Sequence, residues 1–370
     1  MLNAQISKLE LTGFKSIGEL KNLEFKSINV LIGANGAGKS NFISFFKMLS
    51  YMVGSENGLQ DFVVKYGGAN SILHDGAQIT DKIEASITIK SRQGDNDYLL
   101  RLSYAAPDTL VFIEERYRFS DKKYSSKAPW NYLESGRRNS ALLVKEFQNQ
   151  TVKVILQLMR QCKVYQFHNT SETARMRQNW YVENDRFLLE DAANLAPFLL
   201  RLHEYENKSY QRIVETLRQI APFFDDFILE PYRGKILLKW RERGSDLEFG
   251  AHQASDGTLR TIALISLLLQ PEKDLPSVLI LDEPELGLHP YAIDIVAGLL
   301  KSASLSSQVF VATQSMPLLN YFEPEDVIVV DRIGRESNFR RLDSEELKDW
   351  LEDYSLAELL EKNIIGGNPQ

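Results

Sequence analysis

The sequence predicts an α/β fold: a core with a mixed sheet, an antiparallel β subdomain beside it, and an inserted helical lobe. Three observations predict it. The apolar run Ile28-Asn-Val-Leu-Ile32 passes through a glycine-rich turn into Asn41–Leu49, where apolar residues crowd one helix face. Residues 82–119 fall into strand-like runs, of which Ile83–Ile89 alternates polar and apolar at every step. The last third of the chain alternates helix and strand, the order that builds a core with parallel strands.

Residues 5–12 alternate, with Ile6, Leu9 and Leu11 as the apolar set of a half-buried strand, and Phe25–Ile32 forms a second strand. Beyond the helix at Asn41–Leu49, Ile83–Ile89, Tyr98–Tyr104 and Leu110–Phe119 are rich in β-branched and aromatic residues, as an antiparallel sheet requires. From about 135 to 220 the pattern turns helical, with Ala141–Cys162 and Leu195–Ile220 as its long stretches. A short β pair follows at 226–249 around the turn Tyr232-Arg-Gly-Lys235. Then come helix Thr258–Leu269, buried strand Val278–Leu281, helix Tyr291–Ser302, and strands Gln308–Ala312 and Val327–Val330. There is no fixed-period repeat, sustained heptad or low-complexity linker, so the middle segment reads as inserted in the core. The expected division is 1–120 for the first part of the core with its antiparallel subdomain, 121–225 for the mainly helical insertion, and 226–370 for the second part of the core.

Composition narrows the classes of function. With 370 residues, 44% hydrophobic and 25% charged, the chain can bury one large core or a core and a smaller lobe. No run approaches the roughly 20 apolar residues of a membrane span, and no basic stretch followed by an apolar one opens the sequence, so no membrane partner and a cytoplasmic location are expected. The single cysteine, Cys162, excludes an internal disulfide framework and a cysteine zinc site, and reads as a buried thiol. A net charge of −7 argues against a surface devoted to nucleic acid. Residues 111–180 nevertheless carry 13 Lys/Arg against 6 Asp/Glu. That segment is a candidate contact for nucleic acid or an acidic partner, with an equal claim as a solvated helical lobe.

The strongest motif is Gly33-Ala-Asn-Gly-Ala-Gly-Lys-Ser40, a full G-x-x-x-x-G-K-[ST] that follows an apolar strand and opens a helix. Glycines let such a loop curl until successive backbone N–H groups point at phosphate oxygens. Asn35, Gly36, Ala37, Gly38, Lys39, Ser40 and Asn41 are therefore candidate nucleotide contacts. Lys39 is expected to reach the β- and γ-phosphates and Ser40 to ligate Mg²⁺. In Val278-Leu-Ile-Leu-Asp-Glu-Pro-Glu285, Asp282 emerges at the end of a buried strand, where it can hold the metal shell. Glu283 follows, placed to accept a proton from an attacking water. Between these motifs, Ser255-Asp-Gly257 opens a helix and offers a hydroxyl and backbone N–H groups to an anion, though any N-capped helix does as much. His168, between Phe167 and Asn169 at an apolar strand end, reads as a satisfied core histidine and not a ligand.

Taken together these residues resemble the ABC-type ATPases of the SMC, RecF and OLD kind, and most closely the compact AAA family ATPases of bacterial defence and mobile-element operons. The opening Leu9-Glu-Leu-Thr-Gly-Phe-Lys-Ser16 looks like the family's first strand. Gly67-Gly68 with Leu73-His-Asp-Gly76, Val164–Thr170, Asn194–Leu199 and Tyr354–Leu359 look like its internal blocks in the family's order. Leu286–Pro290 stands at the place of the D-loop and Thr313-Gln-Ser315 at that of the switch. The resemblance implies an ABC-ATPase-like P-loop core binding ATP and Mg²⁺, in a head-to-tail homodimer with two composite sites or a higher assembly built on it. Lys39 and Ser40 then bind nucleotide and metal, Asp282 is the Walker B acid, and Glu283 is the catalytic carboxylate. Gln314 lies beside the γ-phosphate, and Ser255 and Gly257 are signature contacts made across the dimer.

The departures carry expectations of their own. The signature reads Ser-Asp-Gly-Thr where transporters carry Ser-Gly-Gly-Gln, and Gln314 replaces the switch histidine, which implies slow hydrolysis. The long coiled coil of SMC proteins is missing, and a Q-loop glutamine has no clear place, His74 and Gln78 lying nearest the expected region. No nuclease segment follows in this sequence as it does in OLD proteins, so an effector such as a nuclease is expected as a separate polypeptide. The expected function is an ATP-driven dimer switch controlling that effector in anti-phage defence. The alternative is a RecF-like clamp on DNA through Arg137, Arg138, Arg175 and Arg177, and a transporter subunit is the weakest reading.

Overall fold

The computed structural model describes residues 4–124 and 127–367. The chain forms two compact units, one of Met1–Lys163, Pro276–Ile280 and Ser307–Gln370, the other of Val164–Leu275 and Leu281–Ser306.

The first unit carries the antiparallel sheet, ordered Ile17–Glu24, Ala4–Phe14, Lys82–Ser91, Gly94–Ala105, Thr109–Asp121 and Asn131–Tyr132. Ile83, Ala85, Ile87 and Ile89 are all buried, as strict alternation predicts for a sheet with one face on the core. Ile17–Glu24 was not legible as a strand. Its buried residues Ile17, Leu20 and Leu23 recur every third position, a helical spacing. It is held as a strand by antiparallel pairing with Ala4–Phe14 across a tight turn in which Lys15 takes φ 50.

The core sheet is mixed, in the order Glu336–Arg341, Val327–Ile333, Ile28–Ile32, Gln308–Thr313, Val278–Asp282, Cys162–Tyr165. Val327–Ile333 and Gln308–Thr313 flank Ile28–Ile32 in parallel, and Glu336–Arg341 adds an antiparallel edge. All five residues of Ile28–Ile32 are buried, which is why the strand is almost wholly apolar, and the buried Asn29 donates to the Lys26 carbonyl at 2.8 Å. The helix Lys39–Gly54 lays Phe42 and Phe46 against Phe310, with Phe25 edge-on to Phe42 and Phe310. That packing anchors the start of the helix, and so the loop before it.

The second unit holds the helices Leu195–Tyr205, Asn207–Ile220, Asp256–Leu268 and Pro290–Ala303. The long helical stretches expected from the sequence are each broken. Ala141–Cys162 divides into Leu142–Lys145 and Gln150–Arg160, because the Asn149 side chain accepts from Val152 N at 3.2 Å and caps a new helix. Its end is a strand, Cys162–Tyr165. Leu195–Ile220 breaks at Glu206, whose φ −134 and ψ 48 are not helical. The expected β pair at 226–249 is a three-stranded sheet of Phe224–Phe227, Lys239–Glu242 and Glu248–Gly250, while Lys235–Ile236 pairs with Trp180–Tyr181. Among the described residues no helix is long and apolar enough to cross a membrane.

Candidate functional site

The glycine-rich loop follows the buried strand Ile28–Ile32 and ends at Lys39, the first residue of its helix. Two glycines are required there by geometry. A side chain on Gly33 would collide with the Val330 carbonyl, and one on Gly38, at φ 121, with Ser337 Oγ. Ser337 Oγ lies 2.7 Å from Ser16 Oγ, which accepts from Asn41 Nδ2 at 2.7 Å, so a short polar chain fixes the loop's exit. Asn35, Gly36 and Ser40 are exposed, whereas Lys39 is buried and donates to the carbonyls of Gly33 at 2.5 Å and Ala34 at 3.1 Å. Gln314 follows the neighbouring strand Gln308–Thr313 and donates from Nε2 to Asn35 Oδ1 at 2.8 Å, joining two residues singled out far apart in sequence. Arg332 donates to the Gly36 carbonyl at 3.1 Å.

Beside this loop lies a polar cavity of about 470 Å³ lined by Lys15, Ser16, Asn41, Asp75, Arg332 and Arg335 among others. Asp75 is bonded to Arg335 at 2.8 Å. Burial, with Lys47 adding to it, pushes the Lys15 amine down to about 8. That amine donates to Ser44 Oγ at 2.6 Å and sits 4.9 Å from the centre of the Tyr66 ring. His74, a residue near the expected Q-loop position, is instead turned to the Lys15 carbonyl at 2.7 Å, and Gln78 is exposed.

In the second unit, Asp282 is 8% exposed at the end of its strand. Gln166 Nε2 donates to its Oδ2 at 2.6 Å, and His168 Nε2 lies 3.0 Å from its backbone oxygen. Sequence reasoning missed Gln166. It belongs to the block Val164–Thr170 and directly follows the strand Cys162–Tyr165, and that polar residue at a strand end was the signal available. His168 is a satisfied histidine, as expected. Glu283 takes φ 47, a left-handed conformation rare for a residue with a side chain and concentrated at functional turns.

The Ser255 turn is built as an N-cap. Ser255 Oγ accepts from Thr258 N at 3.1 Å and lies 2.8 Å from Thr258 Oγ1, while Ser255 itself is exposed. Gly257 is pressed on the turn after Glu283: a Cβ there would lie 2.6 Å from the Gly287 carbonyl oxygen. Arg260, one turn along the helix, donates to the carbonyls of His168 at 3.0 Å and Phe167 at 3.2 Å. Thus Asp282, the Ser255 turn and the segment from Gln166 onward are tied together by hydrogen bonds.

The basic segment 111–180 reads differently in three dimensions. Arg177 is 6% exposed and engaged with backbone carbonyls, so it is withdrawn from any surface contact with phosphate. Arg175 pairs with Asp191 at 2.8 Å, Arg137 with Glu134 at 2.7 Å and Arg118 with Asp97 at 2.6 Å. Of the four arginines proposed for a DNA clamp, Arg138 and Arg175 are exposed, Arg175 being paired with Asp191. Cys162 is buried, as expected.

The family model described as "AAA domain, putative AbiEii toxin, Type IV TA system" matches residues 28–320. No curated protein matches the chain. Among solved structures, the Smc head bound to the C-winged helix domain of ScpA is similar with a TM-score of 0.59 and 17% identity, over 93% of this chain and 99% of that one. The Smc head domain with an extended coiled coil bound to the C-terminal domain of ScpA, from Pyrococcus furiosus, gives 0.57 and 15% over 95% and 99%. The SMC head domain from Thermotoga maritima gives 0.50 and 14% over 92% and 99%. At such identities the likeness is one of fold: the chain has the fold of an SMC-head ATPase domain.

Proposed function

The chain belongs to this AAA-domain family, and we propose that it binds and hydrolyses ATP with Mg²⁺ and closes into a homodimer when ATP is bound. The observation that carries the reading is the loop Gly33–Ser40, with glycines where the backbone leaves no room for a side chain and with Ser40 open to a ligand. The carbonyls of Gly33 and Ala34 hold the Lys39 ammonium over the loop, and an incoming phosphate, a stronger partner for a cation, takes their place. The rest of the nucleotide has a polar cavity beside Asn41 to enter.

The donor set suits magnesium. The Ser40 hydroxyl of the first unit and, in the second, the Asp282 carboxylate and the Gln166 amide oxygen are each hard oxygen donors of the kind Mg²⁺ takes. When bound, Mg²⁺ would supply charge neutralisation at the phosphates. Gln166 holds the Asp282 carboxylate in one orientation. Glu283 accepts the proton of the attacking water, with its carboxylate aimed by the left-handed backbone. Gln314, bonded to Asn35 at the lip of the loop, reports the presence of the γ-phosphate. Ser255 and Gly257 act on the nucleotide of the second copy, the exposed Ser255 hydroxyl serving that role.

The closed dimer in turn controls a separately encoded effector, with a nuclease as the working case, in anti-phage defence. The family resemblance and the family's description as part of a toxin system support this. Glu283→Gln should bind ATP, hydrolyse it at least about a hundredfold more slowly, and sediment as a dimer with ATP alone. A Glu283→Gln protein that stays monomeric at saturating ATP would remove the dimer switch. For the effector, trapped Glu283→Gln with ATP should recover a protein from the native host that Lys39→Ala does not. Equal recovery by both would count against control by the closed state.

A further inference from the structure

Arg177 is a buried cation of the second unit that neither the phosphate loop nor Asp282 engages. Its Nε donates to the Thr170 carbonyl at 2.8 Å. Nη1 donates to the carbonyls of Ala251 and, at 3.2 Å, Ala254. Nη2 donates to the Ala254 carbonyl at 3.3 Å and to Asp256 Oδ1 at 3.0 Å. A guanidinium with 7% of its side chain exposed loses its hydration, and only a saturated donor fork offsets that loss. Three of its four partner residues, Ala251, Ala254 and Asp256, lie in the turn that carries Ser255 into the helix Asp256–Leu268. The Ser255 hydroxyl is bonded within that turn, to Thr258, so its direction follows the turn's backbone.

We propose that Arg177 is a positioning residue for hydrolysis in the partner copy: it clamps the Ala251–Asp256 turn so that Ser255 and Gly257 meet the nucleotide held by the second protomer. The proposal rests on the ATP-bridged dimer above. A lysine at 177 keeps the charge but is a single point donor and cannot span two carbonyls and a carboxylate in one plane.

The test is complementation between two inactive proteins. Arg177→Lys and Arg177→Met are each mixed with Lys39→Ala, whose phosphate loop is disabled. In a mixed dimer, one composite site joins the intact loop, Asp282 and Glu283 of the Arg177 variant to the intact Ser255 turn of the Lys39→Ala copy. Each variant alone should hydrolyse ATP about a hundredfold more slowly than wild type, while the Arg177 variants keep ATP affinity within about threefold. Mixing should restore hydrolysis well above either component. A fold defect confined to the variant copy would leave both sites dead and is not rescued. Ser255→Arg mixed with Lys39→Ala is the control. Restoration in the control with none in the Arg177 mixtures overturns the positioning role and leaves the dimer standing. Absence of restoration in both overturns the dimer and the proposal with it. If the Arg177 variants do not fold, Asp256→Asn, at an exposed acceptor of the same clamp, should show a smaller loss with the same rescue. Full activity of Asp256→Asn would then refute the clamp.

Discussion

Gly257→Ala puts a methyl group where the second unit leaves no space. The new Cβ would lie 2.6 Å from the Gly287 carbonyl oxygen and 3.6 Å from its carbon. Carbon and oxygen ordinarily approach to about 3.3 Å, so the two turns must part by roughly 0.7 Å. Both are backbone, and no rotamer relieves the contact. Overpacking of this kind costs about 1–3 kcal/mol, offset by about 0.5–1 kcal/mol because Gly257 lies in the first turn of the helix Asp256–Leu268 and alanine favours helix. The net destabilisation is about 0–2.5 kcal/mol, or a fall in Tm of up to roughly 10 °C for a unit of this length. Gly298→Ala is the matched control, since it sits inside the helix Pro290–Ala303 and its Cβ meets nothing within 4 Å. It should gain about 0.5–1 kcal/mol. Calorimetry should therefore move the two variants in opposite directions. Hydrolysis in Gly257→Ala should also fall about tenfold or more, because the Ser255 turn moves by a large part of an ångström, with ATP affinity unchanged. A Gly257→Ala protein as stable as Gly298→Ala and fully active would refute the close approach of these turns and the role given to the Ser255 turn.

Other outcomes follow from the same geometry. Gly38→Ala, at φ 121 and against Ser337, should abolish ATP binding measured by titration calorimetry, whereas Gly36→Ala, at φ 79 in open space, should carry a backbone strain of only about 1 kcal/mol and keep measurable binding. Gln166→Leu should raise the Mg²⁺ concentration for half-maximal hydrolysis about tenfold or more, and an unchanged Mg²⁺ requirement would exclude Gln166 from the metal shell. The Lys15 amine, held down to about 8 from 10.5, loses its proton in the folded protein before the unfolded chain does. The unfolded state binds more protons across that window, so stability rises with pH from about 8 toward 10.5. Urea unfolding of Lys15→Met should lack that rise, and identical pH slopes for variant and wild type would refute it.

Much of the candidate phosphate site is legible in the sequence because its constraints are local. A curled loop between a buried strand and a helix demands Gly33 and Gly38 at fixed spacing, and an apolar strand ending in Asp282-Glu283 places two acids without help from distant residues. The alternating strand Ile83–Ile89 is legible for the same reason: period two on one buried face is written into neighbouring residues. Ile17–Glu24 is not, because its pairing with Ala4–Phe14 overrides a spacing that locally favours helix.

Side chains whose meaning depends on remote partners escape such reading. Gln166 is one polar residue among many until the fold sets it 2.6 Å from an aspartate 116 positions away. Arg177 counts as surface charge in the composition and becomes a buried clamp only when carbonyls more than 70 positions distant converge on it. The sequence by itself determined the glycine-rich loop between strand and helix, the acid pair after a buried strand and the α/β class, since backbone geometry and burial periodicity act over a few residues. Only the tertiary structure decided which glutamine steadies Asp282 and which arginine shapes the Ser255 turn, since a hydrogen bond is set by separation in space and not along the chain.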